Sequence, residues 1–230
     1  MSENKYILSD QISMYGEPDC TGFGNVNFYI KEIPRNDANK IIIDNHYSKK
    51  VYNGTYIHLG LFDSTGIIGC LQYGYAMNPA SCGSVVDGTS MDEYLELNRM
   101  WIKDDVGQYP ESRAISHSVK YIKRKLPKIK WIQSFADERC GGFGIVYQAS
   151  SFNFYGEHTS TFWELDDVVY HNSMMTSKKA GGKKYDLLQA NKERCTSHTL
   201  RQFRYIKFIN QKWKKKCLLK EKPYPKHYNK

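Results

Sequence analysis

The sequence predicts an α/β (α+β) fold in which one mixed central sheet is flanked by helices and followed by a basic, helical C-terminal extension. Three observations lead there. A strand-like run at 95–102, an amphipathic helix pattern at 112–126 and a second strand-like run at 131–136 follow one another at the spacing of a crossover between two parallel strands. A hairpin signature precedes that unit, which makes the sheet mixed. The charge also divides: residues 176–230 hold 17 Lys+Arg against three Asp+Glu, a balance of +14, leaving the first 175 residues at −5 of a total of +9.

The elements follow in order. Residues 36–47 read as a short helix that Asn36 or Asp37 can cap, with Ile41 to Ile43 as its apolar contacts. Residues 56–62 and 67–75 flank Asp63-Ser-Thr-Gly66, a turn closed by glycine, and so read as a hairpin. After the strand at 95–102 and a loop at 103–111, Ser112 is placed to cap a helix that Pro127 stops. Its buried stripe is Ile115, Val119, Ile122 and Leu126. The strand at 131–136 runs into the glycine-bearing loop Cys140-Gly-Gly-Phe-Gly144 and a short helix at 145–150, and residues 162–169 close the sheet as another strand.

Beyond residue 175, Ser177-Lys-Lys-Ala-Gly-Gly-Lys-Lys-Tyr185 reads as a basic loop. Between Ser197 and Lys216, Leu200, Phe203, Ile206, Ile209 and Trp213 recur at spacings of three and four, which predicts a helix of about five turns docked by that stripe. Arg201, Arg204, Lys207, Lys212, Lys214, Lys215 and Lys216 would then face outward as phosphate contacts. A membrane surface is the rival partner for such a helix, but the stripe is needed for docking, and nucleic acid is the reading taken. Residues 1–175 are expected to form the catalytic domain and 176–230 the DNA-contacting extension.

Several classes are excluded. At 40% hydrophobic residues the chain can build a real core, and no apolar run approaches the roughly 20 residues of a spanning helix. No basic patch followed by an apolar run follows Met1, so no export signal is expected and the location is read as cytoplasmic. The six cysteines contain no C-x-x-C pair, so no zinc ribbon or thioredoxin-type site is expected. No two histidines, His46, His58 and His171 included, have metal-site spacing.

Ligands of such sheets bind beyond the carboxyl ends of the parallel strands. That rule points at Asp137, the loop at 103–112 and the glycine loop with Gly141, Gly142 and Gly144. Strict alternation puts Arg99 on one face with Leu95, Leu97 and Trp101, where a buried guanidinium needs an anionic ligand or an internal partner such as Asp137. Asp137, ending its strand, suits a general base or amine anchor, or a brace for the loop. Ser112 stands at a helix N-terminus that could hold an anion. Tyr147 lies one turn into the helix after the glycine loop, placed either in the cleft or in packing.

Asn45-His-Tyr-Ser48, Glu96-Leu-Asn-Arg99, Glu111-Ser-Arg113, Ser134-Phe-Ala-Asp-Glu-Arg139 and Gly144-Ile-Val-Tyr-Gln-Ala149 together resemble the motif series of the Mom family of bacteriophage DNA adenine-modification proteins. The resemblance runs from about residue 36 to about 171. It implies a GNAT-like sheet, and a product in which adenine of duplex DNA carries a carbamoylmethyl group on its exocyclic amine, shielding phage DNA from restriction. It places the functional positions on His46, Arg99, Ser112, Asp137 and Tyr147. Arg99, Ser112 and Arg113 would bind the donor, with an acyl-CoA-type donor and iron as candidate cofactors and His46 as the candidate metal ligand. The partners implied are double-stranded DNA and a small-molecule donor, with a homodimer left open and no membrane. Gln108-Tyr-Pro-Glu-Ser-Arg113 lacks both glycines of the GNAT pyrophosphate motif Q/R-x-x-G-x-G/A. Attack of an amine on a thioester gives an amide, whereas this product has a CH2 on nitrogen, so simple acyl transfer is not the whole reaction. A flipped adenine would need stacking surfaces, for which Tyr73, Tyr75 and Phe152 are candidates. A GNAT-type acetyltransferase acting on a protein or small amine, and a non-catalytic DNA-binding protein, are the alternatives.

Overall fold

The structure is a computed structural model and describes residues 23–25, 28–140 and 142–226. The N-terminal residues read for an export signal, Cys20 and Gly141 lie outside them. One nine-stranded sheet organises the chain: β1 (Phe23–Asn25), β2 (Phe28–Glu32), β3 (Thr55–Asp63), β4 (Gly66–Gly74), β5 (Tyr94–Ile102), β6 (Trp131–Asp137), β7 (Asn153–Leu165), β8 (Val168–His171) and β9 (Thr196–Phe208), in the order β1-β2-β3-β4-β5-β6-β9-β7-β8. β5 and β6 are parallel and every other pair is antiparallel. The helices are α1 (Arg35–Asn45), α2 (Pro110–Lys125), α3 (Ile145–Ala149), α4 (Asn172–Thr176), α5 (Lys178–Gly181) and α6 (Lys183–Ala190). None is long and apolar enough among the described residues to cross a membrane.

Alternation on β4 sorts two helices to opposite faces. Leu71 and Tyr73 join the core containing Ala114, Ile115 and Ile122 of α2, and the Tyr73 hydroxyl meets Ser118 Oγ at 2.5 Å. Gln72, between them, donates to Asn39 Oδ1 of α1 at 3.0 Å. α1 begins after Pro34, so Asn36 and Asp37 lie inside its first turn rather than capping it. α2 likewise begins at Pro110, with Tyr109 at the N-cap in left-handed backbone, φ 53°. Ser112 therefore does not cap α2; its hydroxyl donates to the Tyr109 carbonyl at 3.2 Å.

The helix expected over 197–216 is a strand followed by a short 3-10 turn, Gln211–Lys216. β9 lies inside the sheet, between β6 and β7. Phe203 and Tyr205 enter the α2-side core, while Ile206 and Phe208 enter a second core with Trp131 and Tyr94 on the opposite face. Burial on both faces erases the alternation of a half-exposed strand and leaves apolar residues at threes. The basic segment is thus woven into the sheet rather than appended as a helix. Residues 177–185, read as a loop, form α5 and the start of α6. The strand expected at 162–169 is a hairpin. β7 and β8 turn at Asp166-Asp167, both with positive φ (50° and 61°), the geometry of a two-residue turn that Asp tolerates.

Candidate active site

Three residue pairs join β5 to β6, from Tyr94↔Trp131 to Glu96↔Gln133. One further link, Ser134 Oγ donating to the Leu97 carbonyl at 3.1 Å, closes the ladder. Beyond it the strands part, and a cleft of about 250 Å³ opens between them. Four of the five catalytic candidates line it: His46, Arg99, Asp137 and Tyr147. Ser112 does not.

A β-bulge sets Arg99. Gln72 pairs with Arg99 and Tyr73 with Leu97, so Asn98 is the extra residue and the alternation changes phase there. Leu95, Leu97, Met100 and Ile102 pack into the α2-side core. Arg99 is therefore not on the face of Leu95 and Leu97, as strict alternation predicts, but on that of Glu96. Its Nε donates to the Lys50 carbonyl at 3.1 Å and an Nη to the Asn98 carbonyl at 2.7 Å. Burial lowers its pKa, and the neighbouring Arg139 adds to the effect. The internal bridge to Asp137 is not made. No carboxylate reaches ion-pair distance of Arg99 among the described residues, which leaves a partly desolvated cation facing the cleft.

Asp137 is held instead by Arg139, whose Nε lies 3.1 and 2.9 Å from the two carboxylate oxygens and whose backbone N–H donates to Oδ1 at 3.0 Å. The Arg139 guanidinium is in turn seated on the Phe162 ring, 4.4 Å from its centroid. Such a fork fixes the carboxylate plane at the strand end.

His46 follows α1. Its Nδ1 accepts the Ser48 N–H at 3.1 Å and faces Ser48 Oγ at 2.9 Å, which leaves the ring proton on Nε2. Burial, helped by the Arg99 charge, pushes its pKa down to about 4. His46 is therefore neutral at physiological pH and acts as an N–H donor.

Tyr147 is carried by α3, and Gly144 makes that placement feasible. It caps α3 at φ 81°, and a Cβ there would lie 2.5 Å from Tyr205 Cε2. Tyr147 packs against Phe152 and Tyr205, its hydroxyl lies beside Ser134, and burial pushes its pKa up to about 12. It stays a phenol at neutral pH.

Sequence reading missed several neighbours. Tyr47, Asn98 and Cys140 also line the cleft, and Ser134 and Arg139 support Tyr147 and Asp137. Each falls inside or beside a quoted motif, and that adjacency was the signal to follow. Glu96 lies behind Arg99, accepting from Asn98 Nδ2 at 3.0 Å and Gln133 Nε2 at 2.8 Å; burial raises its pKa to about 6.

The other candidates are placed elsewhere. The Arg113 guanidinium lies over the Phe28 ring at 3.9 Å. Arg201 forks onto Glu138 at 2.7 and 3.0 Å. Arg204 is desolvated over the Phe135 ring, Lys207 donates to the Ser150 carbonyl at 2.7 Å, and Lys214 pairs with Glu221 at 2.8 Å. Of the seven residues read as phosphate contacts, these four are engaged within the protein and the Lys216 ammonium lies over the Trp213 ring at 4.7 Å, while Lys212 and Lys215 are exposed with no side-chain partner among the described residues. Tyr73 and Phe152 are fully buried and offer no stacking surface; Tyr75 packs on Tyr56.

Neither implied cofactor fits the residues present. At the α2 N-terminus, Pro110 removes a backbone donor, Glu111 adds a negative charge and the Ser112 hydroxyl points at a carbonyl, so a pyrophosphate is not accommodated. For iron, no group of three His, Cys, Asp or Glu side chains able to hold a metal occurs among the described residues.

Comparison with known proteins gives three findings. The chain matches the Mom protein family over residues 27–226. It is 46% identical over 223 residues to the methylcarbamoylase Mom of Escherichia phage Mu, covering 96% of this chain and 92% of that one. Its fold is shared with Arabidopsis thaliana NAA60 (TM-score 0.51, 12% identity, 79% of this chain and 98% of that one). The ribosomal-protein-S5-alanine acetyltransferase of Vibrio fischeri shares it too (TM-score 0.50, 12% identity, 84% and 98%). The mixed sheet thus has the fold of these acetyltransferases.

Proposed function

The chain belongs to the Mom protein family, and from that premise we propose that it converts adenine in duplex DNA to its N6-carbamoylmethyl derivative in the host cytoplasm, protecting phage DNA from restriction. The observation that carries this reading is the convergence of His46, Arg99, Asp137 and Tyr147 on the cleft between the parting parallel strands. The relative that matches almost the whole chain is a methylcarbamoylase.

Each residue then has a task that its surroundings support. The new bond joins the adenine nitrogen to a methylene carbon, so the amine sheds a proton and the bond from that carbon to the donor's leaving group breaks, the leaving group departing with the electron pair. Asp137, oriented by the Arg139 fork, accepts the N–H and takes that proton. Arg99, which no carboxylate pairs among the described residues, binds the carbonyl or anionic part of the donor, and His46 donates from Nε2 to the same group. Tyr147, beside Ser134, keeps its proton and positions the base. Ser112 and Arg113 lie outside the cleft and have no part in this scheme. No step runs through CoA or iron.

The test is expression in a bacterium followed by mass spectrometry of genomic nucleosides. Wild type should yield carbamoylmethyladenine, and Asp137→Asn should lower it at least about 100-fold, the low end of what a positioned base contributes. Undiminished modified adenine in the variant refutes the role of Asp137. Acetyl-CoA turnover without altered DNA would favour the acetyltransferase alternative, and duplex binding without a modified base the non-catalytic one.

A further inference from the structure

The sheet is longer on one side of the cleft than on the other. β6 ends at Asp137, opposite Gln202, but β9 continues back to Thr196, paired with β7 as far as Glu164. Residues 196–201 thus extend the sheet by about 20 Å past the cleft. β8 widens this arm, and α4 and α6 close over it around a small core of Leu165, Met175 and Leu188. The arm is tied to the cleft wall at two points: Lys50 Nζ donates to the Val169 carbonyl at 3.1 Å, and the Arg139 guanidinium covers Phe162.

Positive charge gathers at that junction. Lys50, whose carbonyl holds Arg99, lies close enough to Lys184 and Arg139 that both act with burial to lower its pKa. Asp137 is the carboxylate paired into this group, against Lys50, Arg99, Arg139 and Lys184. Along the arm, Lys178 is paired with Asp186 at 3.2 Å, while Lys179, Lys183 and Lys184 are exposed at the α5–α6 turn and have no carboxylate partner among the described residues. The other lysine cluster, at Gln211–Lys216, follows Phe208, which pairs with Trp131 at the opposite end of β6. The length of β6 separates it from the cleft, about 20 Å.

We propose that the α5–α6 turn, through Lys179, Lys183 and Lys184, grips the DNA phosphates flanking the target adenine. The far-end lysines then have no part in presenting the base. This rests on the function proposed above and assigns its DNA-contacting surface. Phosphate is the matching chemistry because exposed ammonium groups read charge and spacing without base contacts.

The experiment compares full-length wild type, a K179A/K183A/K184A variant and a K212A/K215A/K216A variant. Duplex affinity is measured by fluorescence anisotropy over a salt series and modification by nucleoside mass spectrometry; melting curves verify that both variants fold. The arm variant should bind roughly 10- to 100-fold more weakly and modify correspondingly less. Its log–log salt slope should fall by up to about 3, near 0.9 for each phosphate no longer neutralised. The far-end variant should modify DNA as wild type does. If the arm variant binds and modifies like wild type, or the far-end variant is the one that fails, the assignment is overturned while the proposed function stands. A wild-type chain that binds no duplex at low salt overturns both. Loss of binding to anionic vesicles in the arm variant, with duplex binding intact, would assign the arm to a membrane and overturn the proposal.

Discussion

His46 and Glu96 both lie near Arg99, and their surroundings drive their titrations in opposite directions. The pKa of His46 falls from 6.5 to about 4, so the stability it contributes is full above pH 6.5 and is lost as pH falls toward 4. Glu96 rises from 4.5 to about 6, so its contribution is full below pH 4.5 and is lost as pH rises through 6. The shifts correspond to about 3 kcal/mol for His46 and about 2 kcal/mol for Glu96. Melting curves from pH 4 to 7.5 should separate them. Relative to wild type, His46→Gln should gain stability as pH falls from 6.5 to 4, and Glu96→Gln should gain as pH rises from 4.5 to 6. A His46 resonance titrating near 6.5 by NMR would show that the ring is not desolvated and would remove the neutral-donor role. At this scale, residue identity was legible and residue pairing was not. His46, Arg99, Asp137 and Tyr147 stand in recognisable strings, but the Asn98 bulge turns Arg99 to the other face, and Arg139 takes the carboxylate assigned to it. Neither bulge nor partner leaves a local mark in composition.

The crossover from β5 through α2 to β6 was legible because its apolar stripe and alternation are undiluted by contacts from distant chain. β9 was not, for the reason that makes it important. It is sandwiched between β6 and β7 and buried on both faces, so its apolar residues report two cores at once and imitate a helical stripe. A charge balance of +14 over residues 176–230 then made the segment look peripheral. The two readings differ in what truncation does. An appended helix could be removed at residue 195 and leave a folded, DNA-blind domain. Removing a central strand deprives β6 and β7 of their shared partner and opens both cores, so residues 1–195 should show no cooperative thermal transition by circular dichroism. A sharp transition near the wild-type midpoint would show that β9 is not part of the cooperative unit. At a single position, Ile206→Ala should cost about 2–5 kcal/mol by chemical denaturation, as for other buried aliphatic side chains.

Taken whole, the molecule sets a recessed pocket beside a raised arm. Asp137 has a side chain only 9% exposed, and Tyr147 is equally shielded, so both lie at the bottom of the gap between β5 and β6. Beside that gap the arm extends about 20 Å, on the scale of a duplex diameter, with Lys184 of its α5–α6 turn close to Lys50 at the junction between the two. A duplex resting against the arm presents phosphates to the lysines of that turn, but the amine of a stacked, paired adenine stays inside the helix and cannot reach a carboxylate set below the rim. The base has to leave the stack, at a cost of a few kcal/mol. A substrate in which that cost is already met should therefore react faster. An adenine placed opposite an abasic site should show kcat/KM roughly 10- to 100-fold above the same adenine opposite thymine, since each 1.36 kcal/mol removed from the barrier is tenfold in rate. Neighbouring sequence is held fixed, so the arm contacts are the same in both substrates. Equal rates would mean either that extrusion is complete before the step that limits turnover or that the pocket reaches the base in place. Pre-steady-state measurement of base extrusion with 2-aminopurine beside the target separates the two: a fluorescence rise preceding modification keeps the recessed-pocket account, and modification without it ends that account.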